Sequence, residues 1–351
     1  MDEVRVSRVA LLHATVQIGT LFDAGIRLDR ALEIVSRQTE SRALNSVLNQ
    51  VSLRVSQGEM LSRALARFPG AFPPVYAAMV RVGEETGSLS GAFSHLYRWM
   101  KRDSDTLRKV LASLTYPAFV LAMASALTLC LLGFVIPSFI RIINDLAPDP
   151  PWFTRVIMAL SVAVRNPLAW LVAVAGVVNL VLLARMRWKD PVGRAQFFAL
   201  AGRVPLLGPL LRTASLARYC SAMQMLLASG VPLTAALPLA GAATGNPLYR
   251  IDSERALQAL RDGVTLDEFL LTRPDLYPPM LVQMVGVALQ TAVTWACFER
   301  LACWYDEELN FRLEVLQALV EPMLMGLVAV VVGGLLLATL LPLQTVLSQL
   351  G

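Results

Sequence analysis

Residues 1–146 of this 351-residue chain land on a second copy of themselves when moved forward by 205 positions. Gly25-Ile26-Arg27-Leu28 falls on Gly230-Val231-Pro232-Leu233, and Gly58 on Gly263. Phe72-Pro73-Pro74 falls on Tyr277-Pro278-Pro279, Trp99 on Trp304, Pro117 on Pro322 and Pro137 on Pro342. The register holds without a gap (230−25, 263−58, 322−117 and 342−137 are all 205). Glycine and proline mark turns and helix starts, so the matched punctuation predicts one fold drawn twice.

The second constraint is the distribution of charge. Apolar residues make up 56% of the chain and charged residues 16%, against about 25% charged in an ordinary soluble protein. Charge is missing from five stretches, 110–140, 166–184, 219–249, 276–298 and 322–351, each long enough to cross a bilayer. The repeat removes two of them. Run 219–249 overlays 14–44, which carries Asp23, Arg27, Asp29, Arg30, Glu33, Arg37 and Glu40. Run 276–298 overlays 71–93, which carries Arg81, Glu84 and Glu85. Both are expected to be buried helices of a soluble bundle, with contact between 276–298 and the bilayer left open. In the first and last spans two prolines stand 20 residues apart (137−117, 342−322), roughly 30 Å of helix and one hydrocarbon thickness. Pro117 and Pro322 are expected in the first turn of their helices, and Pro137 and Pro342 near the far interface.

Basic residues set the orientation. Arg98, Lys101, Arg102, Arg108 and Lys109 precede the first span, and Arg185, Arg187, Lys189 and Arg194 follow the second. The positive-inside rule puts both flanks in the cytoplasm; plain anchoring of this kind also accounts for the arginines without any partner. The expected order is a first cytoplasmic helical domain (1–109), a span (110–140), a short periplasmic loop (141–165) and a second span (166–184). A linker and second cytoplasmic helical domain (185–314), a third span (315–345) and a periplasmic tail (346–351) complete it. The unpaired middle span returns the chain, so both repeats face the same side. The loop has room for one interfacial helix after Trp152. The charged start, Met1-Asp2-Glu3, has no apolar h-region, so no cleavable signal peptide is expected and the N-terminus stays cytoplasmic.

Ala and Leu at helical spacing, with no sustained alternation, make both repeats α-helical. The densest motif is Gly83-Glu84-Glu85-Thr86-Gly87-Ser88. Gly83 suits a close helix approach, Gly87 a left-handed turn and Ser88 an N-cap. Glu84 in such a corner either caps a helix or pairs with a nearby arginine, or it marks a contact surface. The second copy reads Ala288-Leu289-Gln290-Thr291-Ala292 and has lost the charges.

Several chemistries are excluded. No Gly-Lys pair occurs, so there is no P-loop, and His13 and His95 are the only histidines. Cys130, Cys220, Cys297 and Cys303 form no C-x-x-C pair, so neither a disulfide framework nor a zinc site is expected. The charge-free runs 110–140, 166–184 and 322–345 hold no residue to mark an ion path. The chain reads as a non-enzyme, and its net charge of +5 reflects cytoplasmic loops rather than nucleic-acid binding.

Ala24-Gly25-Ile26-Arg27-Leu28-Asp29-Arg30-Ala31-Leu32, Gly58, Phe72-Pro73, Gly83 through Leu89, Tyr116-Pro117 and Pro137, in that order, resemble the type II secretion F family. That family includes the PilC-type platform proteins of type IV pilus machines. The resemblance covers nearly the whole chain, including the duplication. It implies an all-α membrane protein of the bacterial inner membrane, with two cytoplasmic bundles of about six helices each and three transmembrane helices. It implies a platform, itself oligomeric, that works with a hexameric cytoplasmic ATPase, with pilins or pseudopilins and with other inner-membrane assembly proteins. On that reading Glu84, Glu85, Arg102, Arg185 and Arg187 face the ATPase. Some similar proteins bind calcium at the Gly-Glu motif, which implies Glu84 as a ligand beside Ser88, with Arg30 next to Asp29 weighing against it. Members usually keep Gly-Glu in both repeats, and many secretion-system members carry about 50 further N-terminal residues, so the expectation from the resemblance tilts toward a shorter pilus-type or competence-type platform. A membrane subunit of a transporter driven by a separate ATPase is the alternative, and a membrane-bound signalling scaffold a third reading.

Overall fold

The computed structural model describes residues 6–138, 152–168, 170–172, 175–176, 178–179, 182, 191–202, 204, 207–291 and 293–350. Among these residues the secondary structure is helical, with no strand. The first copy contains α1 (Arg8–Asp23), α2 (Leu28–Gln38), α3 (Arg42–Ser56), α4 (Leu61–Ala66), α5 (Pro74–Glu85) and the long α6 (Leu89–Cys130). Two intervening helices are α7 (Trp152–Arg165) and α8 (Pro191–Ala201). The second copy contains α9 (Leu207–Ala228), α10 (Leu233–Ala243), α11 (Pro247–Arg261), α12 (Leu266–Leu271), α13 (Pro279–Thr291) and α14 (Thr294–Leu350). Helices α10, α11 and α12 begin and end 205 residues after α2, α3 and α4 (233−28, 247−42, 266−61).

The repeated glycines explain why the register survives. Gly25 and Gly230 have φ of 83° and 86°, Gly58 and Gly263 of 88° and 87°. After α1 the Ile26 amide donates to Leu21 O and the Gly25 amide to Phe22 O. Val231 and Gly230 repeat those bonds onto Leu226 and Leu227. This six-to-one and five-to-two pattern pairs the last carbonyls of a helix through a left-handed residue, a place where a Cβ is penalised.

The chain divides into two compact units, Met1–Lys109 with Pro191–Arg312, and Val110–Asp190 with Leu313–Gly351. In the first unit one apolar cluster runs through both copies, from Leu12, Leu44 and Met79 to Met223, Leu237 and Phe298. Run 219–249 supplies buried Tyr219, Met223, Leu226, Leu237 and Tyr249. It is the core of a bundle, as the repeat required. Helix α13, from run 276–298, buries Leu281, Val282 and Val285 but leaves Met280 and Val287 exposed. Asp103 of α6 ties the copies together, receiving Arg8 of α1 and, at 2.9 Å, Nε of Arg218 of α9. Lys109 Nζ donates to Asn310 Oδ1 at 3.1 Å.

Among the described residues two segments are long and apolar enough to cross a membrane. They are Ala118–Ser138, with mean hydropathy 2.5, and the apolar part of α14 within Thr294–Gly334, where it reaches 2.2. Most of the expected span 166–184 and the loop residues 141–151 lie outside the described residues. The expectation for Pro117 and Pro322 needs correction. Both lie inside the continuous helices α6 and α14, not in a first turn. Ending a helix at either proline would leave four carbonyls unpaired at the start of an apolar segment, whereas passing through it forfeits one hydrogen bond.

Pro137 comes after a five-residue π-helical turn, Leu131–Val135. The Ile136 amide donates to Leu131 O, so it is withdrawn from its α-helical partner Leu132. The next possible donor to Leu132 O is Pro137, which has no N–H. Ser161 of α7 fills that gap, its Oγ donating to Leu132 O at 2.6 Å. Leu132, Ile136 and Ile157 pack around the bond, with Leu131 and Val164 beside them. Helix α7 is therefore fastened to the end of the first apolar helix.

Replacing Ser161 by Ala should destabilise the detergent-solubilised protein by about 1–3 kcal/mol, the cost of a buried unpaired carbonyl. Adding Pro137→Ala supplies an amide that can reach Leu132 O, so the double variant should lose less than Ser161→Ala alone. Thermal unfolding of the four-member cycle reads this directly, and additive losses would refute the pairing.

Candidate functional site

The Gly-Glu corner is built where α5 turns into α6. The Thr86 amide and Oγ1 both donate to Val82 O, at 2.9 and 2.8 Å, and Gly87 follows with φ of 70°. A Cβ on Gly83 would lie 2.7 Å from Cβ of Ala92 and 3.2 Å from the Leu89 Cα. Glycine is what lets α5 and α6 touch. Ser88 stands one residue before α6, and its carbonyl accepts from the Ala92 amide at 3.1 Å.

The two glutamates have different jobs. Glu84 is half-buried, and its Oε2 accepts from the Ser62 amide at 3.2 Å. Ser62 is in the first turn of α4, whose N-cap residue is Met60 and has no side-chain acceptor to offer. Glu84 is thus a long-range cap, placing a carboxylate against orphan amides and the positive end of the helix. Glu85 is exposed, its Oε1 3.9 Å from Nε of Arg81, a weak surface pair.

The second copy shows why its corner could lose the charge. Met60 and Arg63 correspond to Thr265 and Glu268 (60+205, 63+205). These form a capping box on α12, with Glu268 Oε2 accepting from the Thr265 amide at 3.1 Å. Helix α12 caps itself, so Leu289, the counterpart of Glu84, has no cap to provide. The box Thr265-Leu266-Asp267-Glu268 was a local sequence signal for the start of α12; the Glu84–Ser62 bond, 22 residues apart, had none.

The other expected contact residues are dispersed. Arg102 lies in α6, and Asp306 of α14 has its carboxyl pushed up by burial and pulled down by the charges of Arg102 and Lys109, the rise prevailing. Arg102 is therefore within electrostatic reach of the second copy. Arg185 and Arg187 lie outside the described residues. Calcium takes six to eight oxygen ligands, and the residues here do not fit it. Glu84 is engaged with Ser62, Asp29 is paired with Arg27 at 3.0 Å, and no three His, Cys, Asp or Glu side chains gather among the described residues. No role is assigned to calcium.

Replacing Glu84 by Leu, the residue of the second copy, should cost about 1 kcal/mol of stability, the usual loss for a cap. Adding Met60→Thr and Arg63→Glu installs a capping box on α4 and should return most of it. Failure of that rescue in thermal melts, with Glu84→Leu clearly destabilised, would show that Glu84 is needed for something other than the cap.

Comparison with known proteins matches the duplication. The family model for type II secretion system (T2SS) protein F aligns twice, to residues 14–137 and 219–342, again 205 apart (219−14, 342−137). The chain is 30% identical to a type IV pilus assembly protein PilC of Thermus thermophilus, over 95% of this chain and 82% of that protein. It is 30% identical to a type II secretion system protein F of Pseudomonas aeruginosa, over 97% and 83%. Against a type IV pilus assembly protein PilC of Myxococcus xanthus the identity is 29%, over 95% and 79%. With two copies of the helical unit, apolar helices of membrane-spanning length and this doubled match, the chain belongs to the type II secretion system protein F family.

Proposed function

We propose that this protein is the inner-membrane platform of a type IV pilus or type II secretion machine, coupling a hexameric cytoplasmic ATPase to the assembly of pilins or pseudopilins. The doubled family match carries the reading. Relatives named for pilus assembly and for type II secretion support it at similar identity, and they favour it over the transporter subunit. On this proposal the protein is not an enzyme, and both helical domains lie in the cytoplasm. The positive-inside argument supports that placement. It acts as an oligomer beside other inner-membrane assembly proteins.

The capping role of Glu84 narrows where the ATPase is expected to dock. A residue committed to Ser62 is a poor contact, whereas Glu85 is exposed and pairs only loosely with Arg81 at 3.9 Å. Glu85 is therefore the corner residue assigned to the partner. Full-length Glu85→Lys should melt like the wild type, since a surface pair of this kind contributes about 0–1 kcal/mol. It should nevertheless capture at least several-fold less of the cognate ATPase in co-purification and assemble fewer filaments or secrete less. Wild-type capture and normal assembly by a stably expressed Glu85→Lys protein would remove Glu85 from the interface. Absence of any ATPase capture by the wild type would count against the coupling itself.

A further inference from the structure

The two copies share a backbone but not a core chemistry. Where the first has Ala14, Leu44, Val47, Phe68, Phe72 and Met100, the second has Tyr219, Tyr249, Asp252, Arg273, Tyr277 and Tyr305, each 205 residues on. Three of these tyrosines stack on one another with ring centroids 5.7–6.3 Å apart. Asp252 is buried and held by Arg273 at 2.6 Å. Burying these polar groups costs stability that the apolar residues at the same six places in the first copy do not.

This chemistry borders a cavity of about 510 Å³ between α9, α11 and the cytoplasmic part of α14, within the size range of small-ligand sites. Its wall carries polar groups left without protein partners. Tyr305 is 2% exposed and its hydroxyl makes no hydrogen bond, and Nε of Arg312 is likewise buried and unpartnered. Burial holds the Tyr305 hydroxyl far above its ordinary value, so it remains a neutral donor. The carboxylates on the wall are already matched: Glu308 binds Arg312 at 2.7 Å and Asp275 binds Arg273 at 3.3 Å. Arg212 donates to two neutral carbonyls, Pro274 O at 2.6 Å and Leu276 O at 3.3 Å. Hydrogen bonding from Arg273 holds the Asp275 carboxyl low and the Arg212 charge adds to it, but among the described residues Asp275 makes its ion pair with Arg273. Trp304 stands at the wall, edge-on to Tyr305 at 4.8 Å and partly open to solvent.

We propose that this cavity binds a phosphate ester, with Arg212, Tyr305 and Arg312 receiving the oxyanion and Trp304 flanking the remainder of the ligand. Two guanidinium groups and a phenol offer donors from separate directions, which suits the several oxygens of a tetrahedral phosphate better than the two of a carboxylate. A phospholipid headgroup and a soluble nucleotide present the same group.

The test uses the full chain in detergent. Melting temperature is followed against phosphatidylglycerol, phosphatidylcholine, AMP and inorganic phosphate, for the wild type, Tyr305→Phe and Arg312→Gln. Binding to the native state raises the melting temperature with ligand concentration. Tyr305→Phe deletes only an unpartnered hydroxyl, so its ligand-free melting temperature should equal or exceed that of the wild type. Its apparent affinity should fall about tenfold or more, as when a hydrogen bond to a charged group is lost. Arg312→Gln should weaken binding similarly. A shift with phosphatidylglycerol but not AMP or phosphate identifies a lipid headgroup, and a shift with AMP identifies a soluble ester. The proposal is overturned if no phosphate probe shifts the wild type, or if both variants respond to the probes as the wild type does.

Discussion

Each break in a helix leaves backbone groups that must find a partner, and that requirement organises this molecule more than any single side-chain contact. An orphan amide or carbonyl in an apolar setting costs enough to be felt in overall stability. Helices α6 and α14 meet the demand by running without interruption past Pro117 and Pro322. Where α6 does depart from α geometry, at the π-helical turn before Pro137, a serine from the next helix takes the stranded carbonyl. At the start of α4 the amide is taken by Glu84, and at the start of α12 by a capping box within the helix. Four different devices satisfy one rule.

The capping comparison also changes what the asymmetry between the copies means. The loss of Gly-Glu from the second copy looks like a surrendered contact when the corner is viewed alone. Seen with Thr265 and Glu268, it is a transfer of the same duty to a local motif. The asymmetry that has no such compensation is in the cores. Four tyrosines, an aspartate and an arginine replace alanine, leucine, valine, methionine and two phenylalanines on a common backbone, and two polar groups at the edge of that change, on Tyr305 and Arg312, remain unpartnered. Duplication preserved the glycine-capped helix ends while side-chain chemistry diverged inside them.

Sequence alone reached the repeat, the all-helical fold and the discarding of 219–249 as a span, because these depend on local punctuation and on charge. Gly25, Gly58, Gly230 and Gly263 were legible since a left-handed helix end demands such a residue whatever packs around it. Gly83 was legible for its close approach to α6. The prolines misled because their position in a helix depends on whether an adjoining segment continues it, and α6 and α14 extend far to either side. The Glu84–Ser62 and Ser161–Leu132 bonds join residues 22 and 29 positions apart, beyond any helical period, so no spacing announced them. Arg102 was read as an anchoring or ATPase-facing arginine, and its electrostatic pairing with Asp306 of the other copy is likewise beyond any helical period.

That last pairing bears on how the two copies act together. Asp103 is shared by Arg8 of its own domain and Arg218 of the other, and its side chain is only 15% exposed. The 2.9 Å approach of Arg218 misses hydrogen-bond geometry, so the attraction there is chiefly charge on charge. A few residues on, Lys109 reaches Asn310 directly, and Arg102 and Lys109 together oppose the burial penalty on Asp306. Lys109 and Arg102 are on α6 and Asn310 and Asp306 on α14, the helices that continue into the apolar segments, while the partners of Asp103 are on α1 and α9. Partial burial weakens solvent screening, so a displacement of one helix here acts on charged partners carried by the other. The copies of a duplicated fold can diverge in their cores and corners and stay electrostatically coupled, provided the charges that join them, on α1, α6, α9 and α14, are kept.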